Sequence, residues 1–158
     1  MTNDVDNANV RFPPPLIYLG FLIGGIWAGR AFGLPGLGLD ASARDLFGWI
    51  VAAFGILVGP VAGAGLFYRL RTAIIPIKPA NRLVTLGIYR WTRNPMYLGL
   101  ALIYAGIAIL CDSLFALLLL IPVLIIIQRY VIAREEAYLE RTFGDEYEAY
   151  RARVRRWI

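Results

Sequence analysis

The chain lacks histidine altogether and has a single cysteine, Cys111, among its 158 residues. Without imidazole, a histidine general base, a histidine metal ligand and a haem-ligating histidine are all excluded. One cysteine can form neither an internal disulfide nor a cysteine-based zinc site. We therefore expect no metal site, and any chemistry has to come from carboxylates, arginines, amides and phenols.

Charged residues are also scarce, at 17% of the chain against 59% hydrophobic residues. Charge-free runs cover 46–68, 94–111 and 113–128, and about 20 apolar residues are enough for a helix to cross a bilayer. These runs predict an integral membrane protein. The net charge of +5 comes from basic segments that flank the apolar runs, so topology and anionic lipid explain it better than nucleic acid does.

The order of these segments predicts an all-α, polytopic membrane fold with about four transmembrane helices. A polar tail at 1–15 precedes two accessory spans at 16–32 and 46–68, with a loop or re-entrant turn at 33–45 between them. A core region at 69–158 then holds a polar loop, a third span from Pro95 and a fourth from Leu114, joined as a hairpin by a tight turn at 111–113. We therefore divide the chain into 1–15, 16–68 and 69–158.

The distribution of Lys and Arg predicts the orientation. The loop at 69–93 has six, the segment from Arg129 to the end has seven, the N-terminal tail has one and the 111–113 turn has none. Excess positive charge marks the cytoplasmic side, so we expect a multi-pass protein of the cell membrane with both termini and the polar loop in the cytoplasm.

Glycines recur every fourth residue in both accessory spans, at Gly25, Gly29 and Gly33 and at Gly55, Gly59 and Gly63. Small residues on one helical face let helix backbones approach closely in lipid. We interpret both patterns as packing faces, because no strand-turn-helix unit surrounds either one as a dinucleotide site would require.

The C-terminal segment has an aromatic stripe flanked by arginines. Its members are Phe143, Tyr147, Tyr150, Val154 and Trp157. This pattern is typical of an amphipathic helix that lies at the cytoplasmic headgroup level, and we favour that anchoring role. The aromatic face covering a site stays open as an alternative.

Polar residues that can do chemistry gather where the third and fourth spans reach the cytoplasm. Asn94 before Pro95 predicts a helix start, with the Asn side chain as the cap. A helix N-terminus beside Arg93 favours an anionic group such as a carboxylate. The alternatives are that Arg93 meets only lipid phosphate and that Asn94 only caps.

Two adjacent carboxylates, Glu135 and Glu136, should reach the same level. At about 1.5 Å per residue, the hairpin arms are about 25 Å and 33 Å long, which places the glutamates just beyond Asn94. Carboxylates near Tyr89 and Tyr97 suit a ligand with a cationic centre. Ordinary surface glutamates remain the alternative.

At these residues the sequence resembles the superfamily of isoprenylcysteine carboxyl methyltransferases and phospholipid methyltransferases, small membrane enzymes that use S-adenosylmethionine. The likeness covers about half the chain, from Lys78 to Ile158. Its elements follow the family's order: Leu83-Val84-x-x-Gly87-x-Tyr89, Arg93-Asn94-Pro95-x-Tyr97-x-Gly99, a helical hairpin, Glu135-Glu136 and Phe143-Gly144-x-x-Tyr147-x-x-Tyr150. Together at this spacing these motifs are specific.

The resemblance implies an S-adenosylmethionine-dependent methyl transfer to a lipophilic acceptor, either isoprenylcysteine-like or phospholipid-like. The positions that it assigns to the cofactor are Asn81, Arg82, Leu83, Val84, Tyr89, Asn94, Pro95, Met96, Tyr97 and Glu135, and we add Glu136. We expect the two glutamates to bind the cationic or hydroxyl-bearing parts of the cofactor, and Arg93 with the Asn94 helix start to hold its carboxylate. Arg93 and Glu135 are the residues expected to act in catalysis.

The chain departs from the family's pattern at two positions. Asn94 stands where the eukaryotic carboxyl methyltransferases have histidine, so a role for a titrating imidazole is absent. Val131 stands where those enzymes have a substrate-side arginine, and Arg129 or Arg134 is expected to replace it.

Two other classes of function stay open at this point. One is a membrane reductase of the sterol-reductase-like type, which uses NADPH and has a related Arg-x-Pro-x-Tyr segment. The other is a non-catalytic membrane scaffold, which predicts no polar pocket behind Asn94 and Glu135.

Overall fold

The computed structural model describes residues 12–70 and 83–158. Its regular structure is helical, with no strand in either described range, so the all-α prediction is confirmed there. Helices α1 (Pro14–Ala31) and α2 (Ala41–Ile56) come first, and α2 continues as a π-helical stretch, Leu57–Ala64, and α3 (Gly65–Leu70). After a 3₁₀ turn at Gly87–Arg90 follow α4 (Pro95–Leu110), α5 (Leu114–Ile126), a second π-helical stretch at Ile127–Ile132, α6 (Ala133–Phe143) and α7 (Asp145–Arg153).

Helix α4 lies at the centre of the bundle. It packs against α2 and the first π-helical stretch on one side and against α5 and α1 on the other. The α2 contact is made by small residues: a Cβ built on Gly106 would lie 2.6 Å from the backbone nitrogen of Ala52, and one on Gly55 would lie 2.7 Å from the carbonyl oxygen of Gly99. Only glycine permits backbones this close.

The glycine pattern of α1 also serves packing, against α5. A Cβ on Gly25 would lie 2.9 Å from the Cα of Ala116, and one on Gly29 would lie 3.3 Å from the Ser113 hydroxyl. The packing interpretation is confirmed for these positions. Gly33 differs, because it ends the helix with a φ of 60° and a Cβ there would meet nothing within 4 Å.

Much of the apolar surface of the bundle faces outward. Trp27, Trp49 and Ile121 are 67%, 67% and 59% exposed, and water does not favour apolar surface of this extent. Two continuous helices in the described part are long and apolar enough to cross a membrane, Ala41–Ala64 with 24 residues and Leu114–Phe143 with 30. Helix α4 is apolar but has only 16 residues. These features support a membrane protein, while the number of spans stays a prediction.

The second helix begins earlier than the charge-free run at 46–68 indicates. It starts at Ala41 because the Asp40 carboxylate caps it, accepting from the backbone N–H of Ala43 at 3.0 Å. Part of the predicted loop at 33–45 is therefore helical. The preceding segment is tied to the turn between α4 and α5, where Asp112 accepts from the Leu37 N–H at 2.8 Å. This turn lies at the opposite end of α4 from Asn94.

The headgroup-anchor interpretation of the aromatic stripe is wrong for its central residues. Tyr147, Tyr150 and Val154 are 1%, 4% and 9% exposed and pack with Leu83. Gly144, with a φ of 47°, breaks the helix between α6 and α7, which turns α7 back onto the protein. The aromatic face covers the segment at 83–89 instead of facing lipid.

Candidate functional site

The first turn of α4 meets the first turn of α6 through one short hydrogen bond. The hydroxyl of Tyr97 donates to Oε1 of Glu135 at 2.5 Å. The phenol is buried, whereas Glu135 is half-buried. Tyr18 of α1 supports this contact from behind, because its buried hydroxyl donates to the Tyr97 carbonyl at 3.1 Å.

The neighbouring carboxylate, Glu136, is held by arginines on both sides. Its Oε1 accepts from Nη2 of Arg93 at 2.8 Å, and its Oε2 accepts from Nη2 of Arg156 at 2.5 Å. The side chains of Arg93 and Glu136 are only 10% and 11% exposed, whereas that of Arg156 is 34% exposed. The hydrogen bond to Glu136 also raises the pKa of Arg156. We call Arg93, Tyr97, Glu135, Glu136 and Arg156 the polar cluster.

The residues after α7 lie across this cluster, and we call residues 154–157 the C-terminal strap. The Arg93 N–H donates to the Arg155 carbonyl at 3.0 Å, and Nη1 of Arg93 donates to the carbonyls of Arg151 and Val154 at 3.1 Å each. At its far end, the Trp157 indole donates to the side chain of Gln128 at 2.9 Å.

Asn94 stands at the cap position of α4, as predicted, but the capping mechanism is different. Its side chain makes no capping hydrogen bond. Its Nδ2 instead donates to the Arg156 carbonyl at 3.0 Å, while its backbone N–H donates to Oγ1 of Thr92 at 3.1 Å. The predicted side-chain cap is therefore wrong: the Asn94 side chain contacts the strap and does not accept from the first turn of α4.

The segment before α4 supplies an apolar and aromatic wall. Leu83, Val84 and Tyr89 are all buried, and the hydroxyl of Tyr150 on α7 donates to the Tyr89 carbonyl at 2.8 Å. Burial, with further contributions from Tyr150 and Glu135, raises the pKa of Tyr89 well above its usual value. Tyr89 is therefore a neutral phenol at physiological pH.

The remaining predicted positions lie around this core. Pro95 is buried at the start of α4, and Met96 packs toward the first π-helical stretch, where a Cβ on Gly63 would lie 3.0 Å from its Cγ. Asn81 and Arg82 lie outside the described residues.

The two predicted substrate residues, Arg129 and Arg134, are exposed on the second π-helical stretch and α6. The Arg134 guanidinium lies 4.3 Å from the ring centroid of Tyr130, an ordinary cation–π distance. The structure does not bring these arginines into the polar cluster. Their assignment to a substrate stays a prediction.

Sequence reasoning missed the C-terminal strap. Arg156 is one of four arginines in a six-residue stretch near the end of the chain, Arg151, Arg153, Arg155 and Arg156. Nothing in that local pattern separates the one that pairs with Glu136 from those that face solvent. The same holds for Thr92, whose Oγ1 donates to the Arg156 carbonyl at 3.3 Å.

The donor set of the site fits a zwitterionic ligand that also has an aromatic or apolar part. Glu135 and the phenols can bind a cationic centre. Nε of Arg93 is buried and has no hydrogen-bond partner among the described residues, so a donor remains beside the acidic group. The buried Leu83 and Val84 add an apolar wall.

Comparisons with known proteins bear on this same segment. The phospholipid methyltransferase family matches residues 69–146. A protein of Haemophilus influenzae described as uncharacterized is 44% identical over 63 residues, which make up 40% of this chain and all of that protein. The protein-S-isoprenylcysteine O-methyltransferase of Schizosaccharomyces pombe is 42% identical over 72 residues, which make up 46% of this chain and 30% of the yeast enzyme. No solved structure matches the chain.

The family match begins before the apolar wall and includes α4, α5, α6 and both glutamates of the polar cluster. The yeast relative is named as an isoprenylcysteine methyltransferase, the second family that the motifs indicate. The chain spans less than a third of that enzyme's length. The apolar helices agree with a membrane location. The match to the phospholipid methyltransferase family over residues 69–146 and the partial match to an isoprenylcysteine methyltransferase together support the membrane methyltransferase superfamily that the motifs indicate.

Proposed function

We propose that the protein is an integral membrane methyltransferase that uses S-adenosylmethionine and methylates a lipophilic acceptor. The observation that carries the proposal is the meeting of Tyr97 and Glu135 at 2.5 Å inside the family-matched segment. This contact joins the first turn of α4 to the second half of the continuous helix Leu114–Phe143, between residues that are 38 positions apart in the chain. It creates an acidic, aromatic-walled site where a sulfonium-bearing ligand would be attracted.

In this proposal Glu135 is the acidic residue that contacts the cofactor. Its Oε1 accepts from Tyr97, which orients the carboxylate and leaves its other oxygen for the amine or a ribose hydroxyl of the ligand. Glu136 has a different role in the site, because both of its carboxylate oxygens already accept hydrogen bonds from arginines. It holds Arg93 in place and does not bind the ligand directly.

Arg93 supplies positive charge near the proposed carboxylate end of the cofactor. Its Nη groups already donate to Glu136 and to two carbonyls at the end of α7, so it cannot form a bidentate contact with a second carboxylate as folded. Its buried Nε is the donor that remains. Leu83, Val84 and Tyr89 wall the adenosyl part.

The cofactor, when bound, supplies an activated methyl group on a sulfonium. The protein's part is to hold donor and acceptor in line and to exclude water. A strong base is not obligatory for this displacement, which agrees with Asn94 at the position where related enzymes have histidine. The Asn94 amide donates to the Arg156 carbonyl of the strap, and an amide does not act as an acid or a base near neutral pH.

The acceptor enters from the bilayer in this account. We propose four spans, with both termini and the polar cluster on the cytoplasmic side, accessory helices at 16–68 and a catalytic core at 69–158. Arg129 and Arg134, exposed at the membrane edge, orient an acidic acceptor such as a carboxylate or phosphate headgroup. The names of the matched family and of the yeast relative support a lipid or lipid-modified acceptor.

Ligand binding to the purified protein in detergent tests the proposal. S-adenosylhomocysteine at 100 times its dissociation constant should stabilise the fold by about 2.7 kcal/mol, seen as a higher unfolding temperature, while NADPH should have no effect. Stabilisation by NADPH alone would support a membrane reductase, and no response to either ligand would support a scaffold. Both results would overturn the methyltransferase proposal.

A matched pair of variants assigns the binding to the site. Glu135→Gln should weaken S-adenosylhomocysteine binding at least about tenfold, the equivalent of 1.4 kcal/mol, in titration calorimetry. Glu140→Gln, on the same helix but 44% exposed, should bind like the wild type. Unchanged affinity of Glu135→Gln would remove this residue from the site.

A further inference from the structure

The C-terminal strap lies beyond the family-matched residues 69–146, yet its residue Arg156 is a member of the polar cluster. Arg156 is the point where the strap joins both halves of the site. Its side chain donates to Glu136 on α6, and its carbonyl accepts from Asn94 and Thr92 before α4. One residue therefore connects the start of α4 with Glu136 on α6.

The contact between Arg156 and Glu136 affects the neighbouring Glu135, because both glutamates lie on the same turn of α6. Glu135 and Glu136 are consecutive, so their side chains leave the helix about 100° apart. With Glu136 clamped between Arg93 and Arg156, rotation of this turn is restricted. Glu135, on the same turn, has its Oε1 2.5 Å from the Tyr97 hydroxyl.

Arg156 contacts Glu136 at two points, whereas Arg93 contacts it at one. The Arg156 guanidinium spans both carboxylate oxygens, from Nε to Oε1 at 3.1 Å and from Nη2 to Oε2 at 2.5 Å. Such a two-point contact fixes the plane of a carboxylate as well as its position, which the point charge of a lysine does not do.

We infer that Arg156 is a positioning residue of the proposed cofactor site, acting through Glu136 to aim Glu135 at the ligand. This inference rests on the proposed function. It assigns a part in cofactor binding to the last residues of the chain, outside the matched family segment. A strap that merely fastened the fold would affect stability alone.

Three variants separate these possibilities: Arg156→Gln, Arg156→Lys and the matched control Arg155→Gln. The Arg155 side chain is exposed, and only its main chain contacts the site. The measurements are the unfolding temperature without ligand and the dissociation constant of S-adenosylhomocysteine, both in detergent. Arg156→Gln should weaken binding about tenfold or more, because small misplacements of a site are this costly.

The variant Arg156→Lys keeps the positive charge and separates positioning from stability. A purely structural role of Arg156 would leave its dissociation constant for S-adenosylhomocysteine unchanged. Arg156→Lys retains a cation beside Glu136 but loses the two-point contact, so its binding should fall between the wild type and Arg156→Gln. Arg155→Gln should bind like the wild type. If Arg156→Gln does not fold, the comparison of Arg156→Lys with Arg155→Lys decides, with weaker binding expected only in the former.

The outcomes distinguish this inference from the function on which it rests. If the wild-type protein does not bind S-adenosylhomocysteine, the proposed function fails. If the wild type binds and the Arg156 variants bind equally well, the function stands and the positioning role is refuted, whatever their unfolding temperatures. Weaker binding with partial rescue by lysine supports it.

Discussion

Replacing Glu136 with glutamine tests how much the buried ion pairs contribute to the fold. The substitution keeps the shape of the side chain but removes the charge that neutralises Arg93, whose side chain is only 10% exposed. Removing one partner of a buried pair leaves the other charge uncompensated and costs about 3–5 kcal/mol. We expect the lower end, about 3 kcal/mol, because Arg156 is 34% exposed and water can solvate it.

The assay is thermal unfolding in detergent, with Glu140→Gln as the control. Glu140 lies one helical turn away on α6, and its ion pair with Arg151 is 3.5 Å long between side chains that are 44% and 49% exposed. Surface pairs of this kind contribute about 1 kcal/mol at most. At about 2–4 °C per kcal/mol for a chain of this size, Glu136→Gln should lower the unfolding temperature by about 10 °C. Equal losses in the two variants would refute the reasoning.

Other substitutions test the helix packing, the cluster and the far end of the bundle. Gly99→Ala places a Cβ 2.7 Å from an α2 carbonyl oxygen and should destabilise the protein by about 1–3 kcal/mol in thermal unfolding, whereas Gly24→Ala, with nothing within 4 Å, should be neutral or slightly stabilising. Tyr97→Phe should weaken S-adenosylhomocysteine binding in calorimetry, while Tyr104→Phe, which loses only a bond to a carbonyl, should lower stability by about 1 kcal/mol and leave affinity unchanged. Asp112→Ala should expose the segment before α2 to proteolysis without changing ligand affinity, since this turn lies at the other end of α4. Equal effects within either matched pair, or lost affinity on changing Asp112, would contradict these assignments.

The meeting of α4 and α6 at one polar site was predictable because it depends on local rules. The Asn94-Pro95 pair starts a helix, and helix length then determines the level at which Glu135 lies. The structure places Tyr97 and Glu135 in contact at that level. The partners of Glu136 were not predictable, since they come from residues 43 positions before it and 20 after it.

The start of α2 and the surroundings of the aromatic stripe could not be predicted from apolar periodicity alone. The start of α2 was missed because apolarity located the span, whereas the Asp40 cap determines where the helix begins. The aromatic stripe was assigned to lipid because its periodicity alone does not say what covers it. Its residues Tyr147 and Tyr150 are buried against the segment at 83–89, a contact that depends on the turn at Gly144.

The central claim is that the polar cluster holds a methyl donor beside the bilayer, and labelled transfer tests it most directly. Purified protein would be incubated with methyl-labelled S-adenosylmethionine and a total lipid extract. We predict that label enters a lipophilic product with the wild type and with Glu140→Gln, and that transfer falls at least about tenfold, or 1.4 kcal/mol, with folded Glu135→Gln. Absence of labelled product from the wild type, or equal transfer by Glu135→Gln, would contradict the account.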